Sequence, residues 1–177
     1  MKAGDYIKMY MSTALASQIG LFEDYEPEVR RKSVNIYSLR MVKESSATYQ
    51  AEPMRSPAEA YRLINQIFEL DSMPNEYFVM VCLDTKNKLS GAHVISAGSL
   101  NSSIVHPREV FKAAMLNNAA AIILAHNHPS GDPEPSREDI ETTQRLVNAG
   151  NILGIKVLDH MVIGDGRYIS FKEQGLI

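Results

Sequence analysis

The chain has 177 residues, of which 45% are hydrophobic, so it can form one domain with a substantial core but not two full-sized domains. With a net charge of −3, the chain is not one that its overall charge alone would attract to nucleic acid or to an anionic membrane. The single cysteine, Cys82, excludes an intramolecular disulfide framework and a cysteine-based zinc cage. Its apolar neighbours predict a buried, unreactive thiol.

Targeting and membrane signals are absent from the sequence pattern. No stretch reaches the roughly 18 apolar residues that a membrane-spanning helix needs. Near the N-terminus, Asp5 and several polar residues interrupt the apolar run that a signal peptide would require. We therefore expect a cytoplasmic protein with no membrane partner. The sequence does not indicate an oligomeric state.

Residues 1–53 carry weak structural signals and are predicted to be an N-terminal extension of unclear role. The spacing of apolar residues predicts a helix over Tyr6–Phe22, and an imperfect alternation predicts a strand over residues 34–39. Residues 44–55 have the composition of a loop. We place the domain boundary there, so that the core domain comprises residues 54–177.

The core domain opens with a clear helix start, because Ser56 suits the N-cap, Pro57 the first helical position and Glu59 the closing position of a capping box. The elements predicted after this helix are strands over Asn75–Asp84 and Leu89–Leu100, a helix from Pro107 to about Asn118, a buried strand over Ala119–His126, a helix from Ser136 to about Asn148, and strands over Ile155–Ile163 and Arg167–Phe171. This order, α-β-β-α-β-α-β-β, predicts an α/β fold, a sandwich with a mixed sheet.

The residues that indicate chemistry lie around the end of the buried strand. His126 and His128 are two positions apart, so their side chains project to the same side of an extended segment. Asp139 falls in the first turn of the next helix, where the intervening loop can fold it back onto the imidazoles. Two histidines and one carboxylate leave a fourth position for water, which is the pattern of catalytic zinc. A bound zinc lowers the pKa of that water to roughly 7.

Structural interpretations of the same residues remain open. Asp139 also suits the N-terminal end of a helix dipole, and Ser136 suits an N-cap. Ser130, Gly131 and Asp132 suit the shaping of a tight turn better than direct catalysis. These roles are compatible with chemistry, because an N-cap determines where the helix begins and hence where Asp139 points.

The spacing also carries a family resemblance. His126-x-His128, seven residues, Ser136, two residues and Asp139 match the HxH-x7-S-x2-D motif of JAB/MPN (JAMM-motif) metalloproteins. Over about residues 54–177 the chain resembles the RadC branch of that superfamily, in the run HNHPSGDPEPS and in Asn75-Glu76, Pro107-Arg108-Glu109-Val110 and Leu158-Asp159-His160. The resemblance implies a cytidine-deaminase-like sandwich, a mixed β-sheet flanked by helices, and Zn²⁺ held by His126, His128 and Asp139.

The resemblance further implies an upstream glutamate that acts as general acid and base, and Glu76 matches it. Amide hydrolysis independently requires a base for the water and an acid for the leaving amine. Glu109 is the alternative, although its place near a helix start is explained by capping. Ser136 would help to hold the substrate carbonyl or the oxyanion. The other histidines are expected to be structural or exposed, with lining of the site as the alternative for His160.

These features favour a zinc-dependent hydrolase, a metallopeptidase or isopeptidase with a peptide or protein substrate. A metal-dependent nuclease or DNA-associated factor is a weaker alternative, because residues 1–53 show neither a dense basic patch nor the helix-hairpin-helix pattern that RadC proteins typically carry. A non-enzymatic interaction module is a further alternative. Manganese or iron would also suit the predicted ligands.

Overall fold

A computed structural model describes residues 33–49, 52–98 and 105–177. The chain divides into two compact units, residues 1–39 and 40–177. The helix predicted over Tyr6–Phe22 lies outside the described residues. The strand predicted over residues 34–39 is wrong, since residues 33–39 lie in no helix or strand. Alternation of apolar residues is a weak signal by itself, because a strand also needs a neighbour that pairs with its backbone.

Within the described residues of the second unit, the order of elements is the predicted one. The helices are α1 (Pro57–Phe68), α2 (Pro107–Leu116) and α3 (Arg137–Leu153), and a short 3-10 turn (Leu70–Ser72) follows α1. The strands are β1 (Tyr77–Leu83), β2 (Leu89–Ala97), β3 (Ala121–Asn127), β4 (Lys156–Gly164) and β5 (Arg167–Ser170). None of these helices combines the length and the apolar character needed to cross a bilayer.

Two helix ends differ from prediction in detail. Ser56 caps α1 as predicted by accepting from the Glu59 N–H, but the Glu59 carboxylate accepts from the Arg55 N–H rather than from Ser56. Helix α3 continues through Gly150, where an added Cβ would lie 2.4 Å from a backbone oxygen, and ends at Gly154 with φ +72°. Gly150 therefore allows close packing inside the helix, while Gly154 terminates it.

The five strands form one mixed sheet in the described residues, in the order β2-β1-β3-β4-β5. Strands β3 and β4 are parallel, and the other neighbouring pairs are antiparallel. Helix α3 connects the parallel pair, because such strands cannot be joined by a tight hairpin. The α/β sandwich with a mixed sheet predicted from the sequence is therefore confirmed.

Helices cover both faces of the sheet. The first face packs against α2 and α3, and the second packs against α1 and the 3-10 turn. Along β1, the side chains of Phe78, Met80 and Cys82 contribute to the first core, and those of Val79 and Val81 contribute to the second. Strand β3 is buried at every position for the same reason. The end of β3 is thus held from both sides, and it carries the candidate site.

The thiol of Cys82 is fully buried in β1, and burial raises its pKa to about 12. We therefore expect no reaction with a thiol reagent at pH 8 in the folded protein, since the reactive thiolate is both rare and inaccessible. Absorbance with an aromatic disulfide reagent should report one thiol per chain only after denaturation. Labelling of the native protein at the rate of a free thiol would contradict this expectation.

Candidate metal centre

The three predicted ligands come together where β3 leaves the sheet and α3 begins. His126 lies in β3, His128 follows the strand, and Asp139 lies in the first turn of α3. The His126 Nε2 atom lies 3.1 Å from His128 Nε2 and 3.2 Å from Asp139 Oδ1. His128 Nε2 lies 3.5 Å from Asp139 Oδ2. His126 is buried, whereas the other two side chains are partly open to solvent, so the cluster is anchored in the core and accessible from one side.

A tight turn after β3 directs His128 toward the helix. Gly131 has φ +82°, a left-handed conformation that glycine adopts without strain, and the Ser130 Oγ accepts from the Asp132 N–H at 3.4 Å. Gly164 lets this turn approach β4, since a Cβ there would lie 2.7 Å from the Gly131 carbonyl. The turn-shaping interpretation of Ser130, Gly131 and Asp132 is therefore confirmed.

The start of α3 determines where Asp139 points. The Ser136 Oγ donates to Asp139 Oδ2 at 2.7 Å and accepts from the Asp139 N–H at 3.1 Å. The Ser136 N–H donates to the same carboxylate oxygen at 2.8 Å, which completes a capping box. Ser136 is thus an N-cap that holds the carboxylate facing the imidazoles. Its predicted contact with a substrate oxygen stays a prediction.

The electrostatics of the cluster favour an ionised carboxylate. Burial acts to raise the pKa of Asp139, but interactions with His126, His128 and Ser136 outweigh it and hold this pKa well below the ordinary range. The hydrogen bond to Asp139 raises the pKa of His128, against an opposing effect of burial. A negative charge therefore stands next to two imidazoles at neutral pH.

The donor atoms fit a divalent cation. The His128 Nδ1 atom lies 2.7 Å from the Asp132 carbonyl oxygen, which can only accept, so a neutral His128 carries its proton on Nδ1 and leaves Nε2 free as a ligand. Metal bonds of about 2.0–2.1 Å place neighbouring tetrahedral ligands about 3.3–3.4 Å apart. The observed separations of 3.1, 3.2 and 3.5 Å bracket that spacing.

The predicted general base and its alternative occupy different environments. Glu76 lines a cleft of about 390 Å³ together with His126, His128 and Asp139, and its charge acts to raise the pKa of His128. Glu109 instead pairs with Lys112 at 2.5 Å on the exposed side of α2. The structure therefore places Glu76 at this cleft and Glu109 outside it.

The sequence reasoning missed Asn127, which lies between the two histidines. Its buried amide accepts from the Tyr77 N–H at 2.8 Å and donates to the carbonyls of Asn75 and Met73 at 3.0 and 3.3 Å. These three bonds flank Glu76 on both sides and tie its segment to the end of β3. The available signal was a polar residue that stands between the two predicted histidine ligands at the end of a buried strand.

Two other histidines have structural positions, as expected. His106 caps α2, because its Nδ1 accepts from the Arg108 N–H at 3.1 Å. His93 contacts Asn117, and burial lowers the pKa of its imidazole. His160 differs from both. It is fully buried and lines the same cleft as the predicted ligands, so lining of the site, the alternative left open by the sequence, is the observed position.

We expect Asn127→Asp to destabilise the fold, because the replaced amide group donated to the backbone carbonyls of Met73 and Asn75, to which a carboxylate cannot donate. The free energy of unfolding in urea should fall by about 1–3 kcal/mol. The matched control is Asn148→Asp on the exposed side of α3, which should change that free energy by no more than about 0.5 kcal/mol. An equal loss in the two variants would show that the buried amide contributes nothing specific.

Comparison with known proteins agrees with this geometry. Residues 54–176 match the model of the RadC-like JAB domain. A UPF0758 protein of Caldanaerobacter subterraneus is 61% identical over 120 residues, which cover 68% of this chain and 51% of that protein. A UPF0758 protein of Methanosarcina barkeri is 50% identical over 133 residues, which cover 73% of this chain and 57% of that protein. One of Bacillus cereus is 49% identical over 168 residues, which cover 94% of this chain and 67% of that protein.

The chain thus spans little more than half the length of the first two of these relatives. The family match includes the segment that carries Glu76, the turn with both histidines and the start of α3, and the same segments build the cleft described above. Taken together with the mixed sheet, the match shows that the chain belongs to the RadC-like JAB domain family.

Proposed function

We propose that this protein is a zinc-dependent hydrolase that cleaves peptide or isopeptide bonds. The observation that carries the proposal is the convergence of His126, His128 and Asp139, with separations that suit a tetrahedral ion, in the cleft that Glu76 also lines. Three protein ligands leave one coordination position open, as catalytic zinc sites do. JAB domains include metal-dependent hydrolases, which is consistent with this donor set.

A divalent cation held by these three ligands would polarise the substrate carbonyl and lower the pKa of a bound water. Two imidazoles and one carboxylate suit zinc, and they also suit other first-row metals, so zinc is part of the proposal. The role of the chain is to present three unprotonated donors in a cleft that opens to solvent on one side. The capping box holds the Asp139 carboxylate in the required orientation, and the turn after β3 does the same for the His128 imidazole.

Glu76 is the proton carrier in this proposal. Its carboxylate accepts a proton from the attacking water as the new carbon–oxygen bond forms. It then donates that proton to the leaving nitrogen as the carbon–nitrogen bond breaks, so that it returns to its starting state. Asn127 holds the backbone on both sides of Glu76, which would keep this carboxylate in place through both transfers.

Ser136 has two successive tasks in the same proposal. In the structure its hydroxyl proton is directed at Asp139 Oδ2, where it orients a ligand. During the reaction the exposed hydroxyl would rotate toward the substrate carbonyl oxygen and stabilise the developing negative charge. The backbone N–H of Ser136 still donates to Asp139 Oδ2, so the carboxylate keeps its orientation when the hydroxyl turns away.

The cleft favours a peptide over a phosphodiester substrate. Among the described residues that line it, none is Lys or Arg, while Glu76, Glu138 and Asp139 are acidic. Nucleic-acid binding needs cations that neutralise phosphates, and an acidic cleft opposes it. Phe78 and Val105 add an apolar wall that suits side chains of a peptide. The complete donor set likewise favours a metal enzyme over a metal-free interaction module.

We expect elemental analysis to find about one zinc ion per chain in the purified wild-type protein. Asp139→Asn should lower this content, because it removes a charged ligand and weakens the cap. Glu76→Gln should leave the content unchanged, because Glu76 is proposed to act on the water and not on the metal. No zinc in the wild type even after reconstitution would overturn the proposal, and loss of zinc in Glu76→Gln would make Glu76 a ligand.

A measurement of turnover distinguishes a metal enzyme from a protein that binds the metal without catalysing a reaction. On a panel of peptide and isopeptide substrates, we expect Glu76→Gln to lower kcat by about 10²–10⁴-fold at full zinc occupancy, because the proton carrier is lost. Glu109→Gln is the matched control, an exposed carboxylate outside the cleft, and should retain wild-type rates. Hydrolysis of nucleic acid together with inactivity on the whole amide panel would replace this proposal with the nuclease alternative.

A further inference from the structure

A buried chain of hydrogen bonds runs from the candidate metal ligand His126 into the core. The His126 Nδ1 atom lies 2.9 Å from His160 Nε2, and His160 Nδ1 lies 2.5 Å from the Thr143 hydroxyl. That hydroxyl also lies 2.6 Å from the backbone carbonyl of Asp139. One threonine therefore contacts the backbone of one candidate ligand and, through His160, the ring of another.

The direction of each bond follows from the single proton of the Thr143 hydroxyl. A carbonyl oxygen can only accept, so the hydroxyl donates to Asp139. It has no proton left for His160, and must accept from the His160 Nδ1–H. His160 is completely buried, and within the described residues its two ring nitrogens contact Thr143 and His126, so in its neutral form the imidazole carries its one proton on Nδ1.

His160 Nε2 is therefore an acceptor, and the His126 Nδ1–H must donate to it. A neutral His126 then has no proton on Nε2, the atom that faces His128 and Asp139. Were His160 protonated at Nε2 instead, His126 would have to accept at Nδ1. Its own proton would then lie on Nε2 and block metal binding. The chain of bonds selects the tautomer that can act as a ligand.

We propose that His160, oriented by Thr143, is a positioning residue that keeps His126 in the tautomer with a free Nε2 before any metal arrives. The inference rests on the proposed metal site, and it assigns a supporting role to a residue that is not itself one of the three candidate ligands. Its benefit is preorganisation: the ligand atom needs no proton transfer and no ring rotation on binding. Loss of such supporting contacts typically weakens metal binding by about 10–100-fold.

The packing around His160 supports a fixed ring. Its ring stacks on Phe171 with centroids 4.8 Å apart and contacts Phe78 at 5.2 Å. The preceding residue, Asp159, accepts from the Ser170 hydroxyl at 2.6 Å and from the Lys172 N–H at 3.1 Å. These bonds hold the chain segment that carries Phe171 against β4. The ring of His160 is thus enclosed by aromatic side chains that oppose its reversal.

The first test reads the tautomers directly. In the metal-free full chain labelled with ¹⁵N-histidine, at about pH 9 where neutral imidazoles dominate, long-range proton–nitrogen spectra should place the protons of His126 and His160 on Nδ1. Thr143→Val keeps the shape but removes the acceptor for His160, so both rings should shift toward mixed tautomers. A wild-type His126 with its proton on Nε2 would overturn the inference, and so would unchanged tautomers in Thr143→Val.

The second test measures zinc affinity by chelator competition. His160→Leu should weaken binding by about 10–100-fold. His160→Gln should restore most of the affinity, because its amide oxygen can accept from the His126 Nδ1–H. Thr85→Val, in the exposed turn after β1 and outside the cleft, is the control for Thr143→Val and should bind zinc as the wild type does. Equal affinity in His160→Leu and the wild type would overturn the inference.

The two tests separate this inference from the proposed function. If the wild type binds no zinc, the proposed function fails, while the nitrogen spectra still decide the tautomer. If the wild type binds zinc and hydrolyses amides but His160→Leu does both equally well, only the inference fails. Thermal unfolding shows which variants are folded. Should His160→Leu not fold, the wild-type spectra and Thr143→Val decide the matter.

Discussion

A single carboxylate joins the fold of this protein to its candidate chemistry. Asp139 closes the capping box of α3 through Ser136, and the same carboxylate faces the imidazoles of His126 and His128. The residue at which the helix begins therefore also determines whether the three donor side chains come together. If α3 began one residue later, Asp139 would turn by about 100° around the helix axis, away from both histidines. The local rules of helix capping thus determine a tertiary site.

The sheet makes that arrangement rigid. Strands β1 and β3 are buried on both faces, so the point where β3 ends cannot shift without disturbing two cores. Parallel pairing of β3 with β4 requires a crossover, and α3 is that crossover. The helix that carries Asp139 therefore leaves from the strand that carries His126. The loop between them begins with the tight turn after β3, which fits against β4 because Gly164 leaves space for it.

Residues around the donor set hold the donors and Glu76 in place. Asn127 ties the backbone on both sides of Glu76 to the end of β3, and Thr143 contacts both the Asp139 carbonyl and His160. Each uses all of its side-chain N–H or O–H protons inside the fold, where an unsatisfied polar group would be costly. Such networks hold the side chains of a partly open cleft in one geometry.

The sequence by itself determined the element order, the α/β class and the three candidate metal ligands. Those signals are local: the Ser56 and Ser136 caps, the unbroken apolar run of β3, and two histidines that strand geometry sends to one side. The weak alternation over residues 34–39 misled the prediction, because pairing of a strand depends on a distant neighbour and not on its own pattern.

Only the tertiary structure decided which carboxylate and which supporting side chains belong to the cleft. The sequence favoured Glu76 over Glu109 through the family resemblance, and the packing of β1 beside β3 places Glu76 near His128. The supporting contacts of Asn127, Thr143 and His160 could not be read from the sequence, because they are hydrogen bonds to partners up to 54 residues away. Capping and periodicity act within a few residues, whereas contacts across the sheet depend on how strands are ordered, and the pattern of a single strand does not specify that order.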